Sequence, residues 1–145
     1  MLTQIEIDYL LHLIKELKAS SILLPSAGSH IELPATAIND TEKFLIDVSR
    51  KGQINISKAT LQTRYNRTHI LLRLDISGPD HMNPDGEVIP CPHLHIYKEG
   101  FHDKWAYPLP EHIPTDTSDL AQVLIDFLEY NNIQSIPPIR QHLSF

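Results

Sequence analysis

The chain has one cysteine, Cys91, in 145 residues. It cannot close a disulfide within itself, so a reducing cytoplasm is the expected compartment. No run of about 18 apolar residues occurs, which excludes a spanning helix by the length a bilayer demands. The first residues, Met1 to Asp8, carry acids where a secretory signal carries bases, so no signal peptide and no membrane partner are expected. Internal repeats, low-complexity tracts and long linkers are missing too. There is no basic excess: the formal charge is −6, which weighs against a broad cationic coat for DNA.

Apolar residues make up 41% and charged residues 21%, the composition of a globular chain. The length suits one domain with its own core. We expect a single domain over 1–145, with a core from about 3 to 131. Pro137-Pro138 opens a tail, 132–145, expected to be loosely ordered. The bases are unevenly spread. From Arg50 to Arg73 there are six (Arg50, Lys51, Lys58, Arg64, Arg67, Arg73) and no acid. An acidic protein can therefore carry a locally basic site.

Ile7, Leu10, Leu11, Ile14 and Leu17 recur at helical spacing and predict an amphipathic helix over Thr3–Lys18, with Thr3 and Glu6 as a capping box. Ser20–Pro34 reads as irregular, with a short extended piece at Ile31–Leu33. Phe44–Arg50 alternates as a strand, and Ile54 and Ile56 point to another. Thr60–Tyr65 and His69–Ile76 flank Asn66-Arg67-Thr68 as a hairpin. His93–Tyr97 is a further strand, and Lys104–Tyr107 returns against it. Leu120, Val123, Leu124, Phe127 and Leu128 stripe a second helix over Ser118–Asn131, capped by Thr117 or Ser118. This order predicts an α+β fold, a mostly antiparallel sheet packed on one face by the N-terminal and C-terminal helices.

The stretch Asp75–Trp105 holds four of the nine histidines: His81, His93, His95 and His102. Histidine moves protons near neutral pH and binds metals. Alternation assigns faces. Ile70, Leu72, Leu74 and Ile76 share one face, His69, Leu71, Arg73 and Asp75 the other. Gln62 and Arg64 share a face of the preceding strand. Leu94 and Ile96 face the core, which leaves His93, His95 and Tyr97 on the polar side. A solvated sheet face is usually Thr, Lys, Glu and Ser. Arg, His, Tyr and Asp on one open face instead point to catalysis or anion recognition.

Two chemistries fit. Without a metal, His93 and His95 transfer protons with His81 nearby, Tyr97 donates a hydrogen bond and Asp75 orients its neighbours. Arg64 and Arg73 then hold a phosphate, flanked by Gln62, Lys98 and Lys104. That set suits cleavage of an RNA phosphodiester by its 2′-OH. With a metal, His93 and His95 at i and i+2 converge on zinc, and His81 or Asp75 completes three ligands. Arg64 and Arg73 would oppose a dication there. Asn83-Pro84-Asp85-Gly86 reads as a type I turn that holds His81 over the sheet edge. Cys91 reads as a small buried or semi-buried thiol rather than a nucleophile, and Trp105 as core.

The strings Leu71-Leu-Arg-Leu-Asp75, Gly78-Pro-x-His81-x-Asn83-Pro-Asp-Gly86, Pro92-His-Leu-His-Ile-Tyr-Lys-Glu-Gly100 and Asp103-Lys-Trp-Ala-Tyr107 resemble a family of small uncharacterised proteins of bacteria and their mobile elements. The resemblance covers roughly Phe44 to Leu109. More loosely, the pattern is similar to small ribonuclease toxins of toxin–antitoxin modules. That likeness implies RNA as substrate and an inhibitory antitoxin as partner. The leading expectation is a metal-independent ribonuclease that needs no cofactor. One alternative is a non-enzymatic binding protein of a mobile element, such as an inhibitor of a host defence protein. Another is a metal-dependent hydrolase that uses zinc.

Overall fold

A computed structural model of the chain describes residues 1–38, 41–51 and 58–141. In chain order the elements are α1 (Gln4–His12), β1 (Lys15–Leu17), β2 (Ile22–Leu23), β3 (His30–Ala37), β4 (Lys43–Ser49), β5 (Thr60–Tyr65) and β6 (His69–Asp75). They continue with β7 (His81–Met82), β8 (Val88–Ile89), β9 (His93–Ile96), β10 (Ala106–Pro108), α2 (Leu120–Tyr130), β11 (Ile133–Gln134) and β12 (Ile139–Arg140). Eight strands form one sheet in the order β10-β9-β6-β5-β4-β3-β1-β11, antiparallel except for the parallel β1–β11 pair. Two short pairs, β7–β8 and β2–β12, stand outside it. The expected strand at Ile54 and Ile56 lies outside the described residues.

One apolar core joins the sheet to both helices. Ile7 and Leu10 of α1 and Val123, Leu124, Phe127 and Leu128 of α2 pack with Phe44, Ile46, Leu61, Leu72, Leu74 and Leu94. The fold is α+β with a dominant sheet, as the alternation predicts. Ile96 is only partly buried, though it packs against the same core. No helix is long and apolar enough to cross a membrane.

The capping box forms: Thr3 Oγ1 accepts from the Glu6 N–H, and Glu6 accepts from the Thr3 N–H. The helix then stops at His12, six residues before the expected Lys18. Leu13 turns extended, with ψ 137°, and Lys15–Leu17 joins the sheet between β3 and β11. Ile14, part of the apolar stripe, is left exposed. Ladder pairing on both sides overrides the local helical pattern. At α2 the cap is Asp119, whose Oδ1 accepts from the Gln122 N–H, rather than Thr117 or Ser118.

The stretch around Ile31 is an eight-residue strand inside the sheet, not a short extended piece. Pro34 lies within it. The Pro34 carbonyl accepts from the Lys18 N–H, so the missing N–H points to the β1 side and the ladder to β4 stays whole. The expected tail also contributes. Ile133 pairs with Lys15 and Ile139 with Ile22.

Asn66 and Arg67 close the β5–β6 hairpin with φ 48° and 67°. Two consecutive positive φ values match the right-handed twist of the strands. Beyond it the register shifts. Thr63 pairs with Leu72 but Arg64 pairs with Ile70, so Leu71 is an extra residue in a bulge. Leu71 and Leu72 are both buried in the core. Strict alternation had placed Leu71 on the polar face and Ile70 inside, and the bulge reverses both.

Candidate functional site

β6 and β9 are neighbours, with Arg73 opposite His95 and Asp75 opposite His93. Directly opposed residues share a face. Four candidate side chains thus meet on two strands. The loop after β6 adds the rest. Gly86 N–H donates to the Asn83 carbonyl at 2.8 Å, which closes the Asn83–Gly86 turn. The Asn83 side chain then clasps β10 on both sides: Nδ2 donates to the Ala106 carbonyl at 2.9 Å, and Oδ1 accepts from the Ala106 N–H at 2.8 Å. This buried clasp fixes the β7–β8 hairpin beside the strands and brings His81 to the site.

The polar face is therefore not open here. His93 is 2% and His95 1% exposed, where a solvated face was expected. Alternation sees only one strand at a time and cannot see a hairpin folded beside it. What remains is a cleft of about 380 Å³ lined by Arg73, Asp75, Asp80, His81, Cys91, His93 and His95, among others.

Each histidine is tied to a backbone carbonyl through one ring nitrogen. His93 Nδ1 lies 3.1 Å from the Ile89 oxygen, and His95 Nδ1 lies 2.8 Å from the Asp103 oxygen. His81 Nε2 lies 2.7 Å from the Lys104 oxygen. A carbonyl only accepts, so each of these nitrogens carries a proton. The other nitrogens of the pair on β9 meet the same carboxylate. His93 Nε2 is 3.1 Å and His95 Nε2 3.3 Å from Asp75 Oδ2. The reactive atoms of Asp75, His93 and His95 all lie within 4.8 Å of one another. The His81 ring stands next to them, 4.6 Å from the His95 ring between centroids.

Arg73 completes the wall. Its Nη2 lies 3.1 Å from His95 Nε2, its Nη1 2.9 Å from Asp103 Oδ2 and its Nε 3.5 Å from Asp75 Oδ2. Burial alone would raise the Asp75 carboxyl. The contacts to His93 and His95 and the Arg73 charge outweigh it and hold the group well below the ordinary carboxylate range. Asp75 is thus an anion across the neutral range. The Cys91 thiol moves the opposite way: burial, with Asp75 and Asp80 nearby, pushes it up to about 11. A thiol held protonated is a poor nucleophile at neutral pH.

Of the other candidates, several are engaged with partners outside the cleft. Arg64 donates from Nε to Asp47 at 2.6 Å and from Nη2 to Glu32 at 3.0 Å, and Gln62 donates to the same Asp47. Those carboxylates come from β3 and β4. Tyr97 sits in the apolar core, not beside His93 and His95. Its N–H donates to the bulged Leu71 carbonyl, and its hydroxyl meets the Leu2 N–H and His102 Nδ1. Lys98 lies over the Trp105 ring, 4.4 Å from its centroid. Lys104 offers its carbonyl to His81 while its side chain is exposed. By sequence alone Asn83 has only a turn role, and Asp80 and Asp103 have none. Asp103 sits between His102 and Lys104 in the densest part of the motif, which was the available signal.

No curated protein and no solved structure matches the chain. One family profile does, the Family of unknown function (DUF6978), over residues 2–133, which include both helices and every strand that bears the site; the chain belongs to that family.

Proposed function

We propose that Asp75, His93 and His95 hold a divalent metal ion of the zinc class and that the chain is a metal-dependent hydrolase. The observation that carries this is the surplus of acceptors around His93. Its two nitrogens face a carbonyl and a carboxylate, and neither can donate. A neutral imidazole satisfies only one of them. A cation between His93 Nε2 and Asp75 satisfies the other. An ion bound at about 2.0–2.2 Å places its donors roughly 3–3.5 Å apart, the range of the contacts to Asp75 Oδ2. Ligating histidines commonly anchor their second nitrogen to a carbonyl, as these do. Charge also supports a dication: Asp75 and Asp80 line the cleft, and the one guanidinium there, that of Arg73, is shared between Asp75 and Asp103.

Asp75, His93 and His95 would hold the ion, which would supply an activated water in the cleft. His81 Nδ1 would take one proton of that water and pass it to the leaving oxygen. Arg73 would face the negative charge that develops on the electrophile. One water would be added across one ester bond. A reduced Cys91 in the cleft wall suits a cytoplasmic setting. The test is calorimetric titration of chelator-stripped protein with zinc. One equivalent bound by the wild type, and none by a His93→Ala variant, is the expected result. Absence of binding by the wild type sinks the reading.

A metal-free ribonuclease, toxin-like and countered by an antitoxin, is the second reading. The contact between Arg73 Nη2 and His95 Nε2 favours it, because a guanidinium then uses the lone pair that a metal would take. In that case His93, protonated on both nitrogens, is the acid and His95 the base for attack by a 2′-OH. RNA cleavage that persists in chelator with a bell-shaped pH profile would select it.

A further inference from the structure

A second groove, of about 540 Å³, crosses the sheet over Pro34, Thr36 and Leu45, with Lys18, Lys43 and Arg67 at its edges. No carboxylate lines it, and all three cations are exposed. Among the described residues none of them is in a salt bridge. On a chain of net charge −6 this is a concentrated basic patch. Register places it on the face of the cleft. Leu45 pairs with Pro34 on one side and Arg64 on the other. Gln62, two residues from Arg64, pairs with Arg73, which pairs with His95. From strand spacing and rise, groove and cleft lie roughly 15–20 Å apart, a span of a few nucleotides.

We propose that this groove binds the backbone of a single-stranded nucleic acid whose phosphodiester enters the cleft. The inference rests on the hydrolase reading and names its substrate class. Three cations over an apolar floor offer phosphate contacts at the edges and a surface for sugar or base in the middle. Between groove and cleft, Arg64 pairs with both Asp47 and Glu32, so one guanidinium offsets half of the negative charge along the path. A single strand can bend into a cleft whose histidines are buried. A stiff duplex cannot follow.

The experiment is fluorescence anisotropy of a 20-nucleotide labelled RNA, and of the same sequence as DNA, on the full chain in chelator and in zinc. Three phosphate contacts predict an affinity loss of about 20-fold between 50 and 200 mM salt. The triple variant K18Q/K43Q/R67Q should lose at least about tenfold in affinity and most of that salt dependence. Its zinc binding should match the wild type, because those residues lie away from Asp75, His93 and His95. His93→Ala should lose zinc yet keep oligonucleotide binding in chelator. RNA bound more tightly than DNA would identify the strand as RNA; equal binding would leave both as substrates. The proposal is overturned if the wild type binds neither oligonucleotide at 50 mM salt. It also fails if the triple variant binds as well as the wild type, or if vesicles of anionic lipid bind the groove instead. Zinc binding without oligonucleotide binding would remove this inference and leave the metal site standing.

Discussion

Lys15 and His95 are each 1% exposed, yet their surroundings differ in kind. Lys15 Nζ donates to the carbonyls of Leu13 and Asn131, both at 2.9 Å, and lies 4.9 Å from the centroid of the Phe44 ring. The Asn131 side chain is satisfied in turn: Oδ1 accepts from Thr63 Oγ1, and Nδ2 donates to the Phe127 carbonyl. This cluster ties the end of α1, the end of α2 and β5 together. Its ammonium and amide donors meet carbonyls. Around His93 two acceptors face the one proton of a neutral ring, and the cleft gives a ligand a way in. A buried charge by itself says little about function. An unmet valence beside a cleft says more.

The first way to break this comparison is to remove one member of each cluster and measure zinc binding by calorimetry. Asp75→Ala or His95→Ala should lower zinc affinity by more than about 100-fold, since even outer partners of a metal site are worth 10- to 100-fold. Lys15→Met should leave zinc affinity unchanged. An equal loss in Lys15→Met would mean that the two regions act as one. A smaller but still large effect concerns stability in urea. Lys15→Ala strands two carbonyls and opens a cavity, and should cost about 2–5 kcal/mol, as Leu74→Ala should. Asn83→Leu sharpens the contrast from the other side. It breaks the clasp on Ala106 and should cost about 1–3 kcal/mol. Because the clasp also sets the hairpin that carries the Ile89 carbonyl and His81, zinc affinity should fall about 10-fold or more. Unchanged zinc affinity in Asn83→Leu would show that β9 and β6 form the site unaided.

That Arg73 and Asp75 share a face with His93 and His95 was legible in the sequence, because a period of two fixes a face wherever a strand is regular; that their strands are neighbours was not. The core residues Leu72, Leu74 and Leu94 follow from the same period. What escaped was the result of contacts distant in sequence. Arg64 alternates with Gln62 as expected, but Glu32 and Asp47 from two other strands take its guanidinium. Tyr97 keeps its parity with His95 only on paper. The bulge at Leu71 and the end of β9 at Ile96 return it to the core. The burial of His93 and His95 depends on Asn83 meeting Ala106 across 23 residues, a contact no local pattern announces. The helix expected to reach Lys18 fails for the same reason: β3 and β11 pair with residues whose own spacing suits a helix.

The smallest effect tests whether the Lys15 region is as closed as its hydrogen bonds suggest. Burial lowers the Lys15 ammonium from an ordinary 10.5 to about 8. Below that value native and unfolded chains both hold the proton, and the cost of burying the charge is felt in full. Between about 8 and 10.5 the native chain holds the neutral amine while the unfolded chain stays protonated. The unfolded state then binds more protons, so the contribution of Lys15 to stability becomes more favourable as pH rises through this window. Lys15→Met has no group that titrates there and cancels the other titrations. Urea unfolding of the pair should show the wild type gaining about 1 kcal/mol on the variant between pH 8 and pH 9. A difference that stays flat with pH would mean that water reaches the ammonium. The contrast between a sealed structural cation and a cleft-facing cluster would then narrow to the cleft alone.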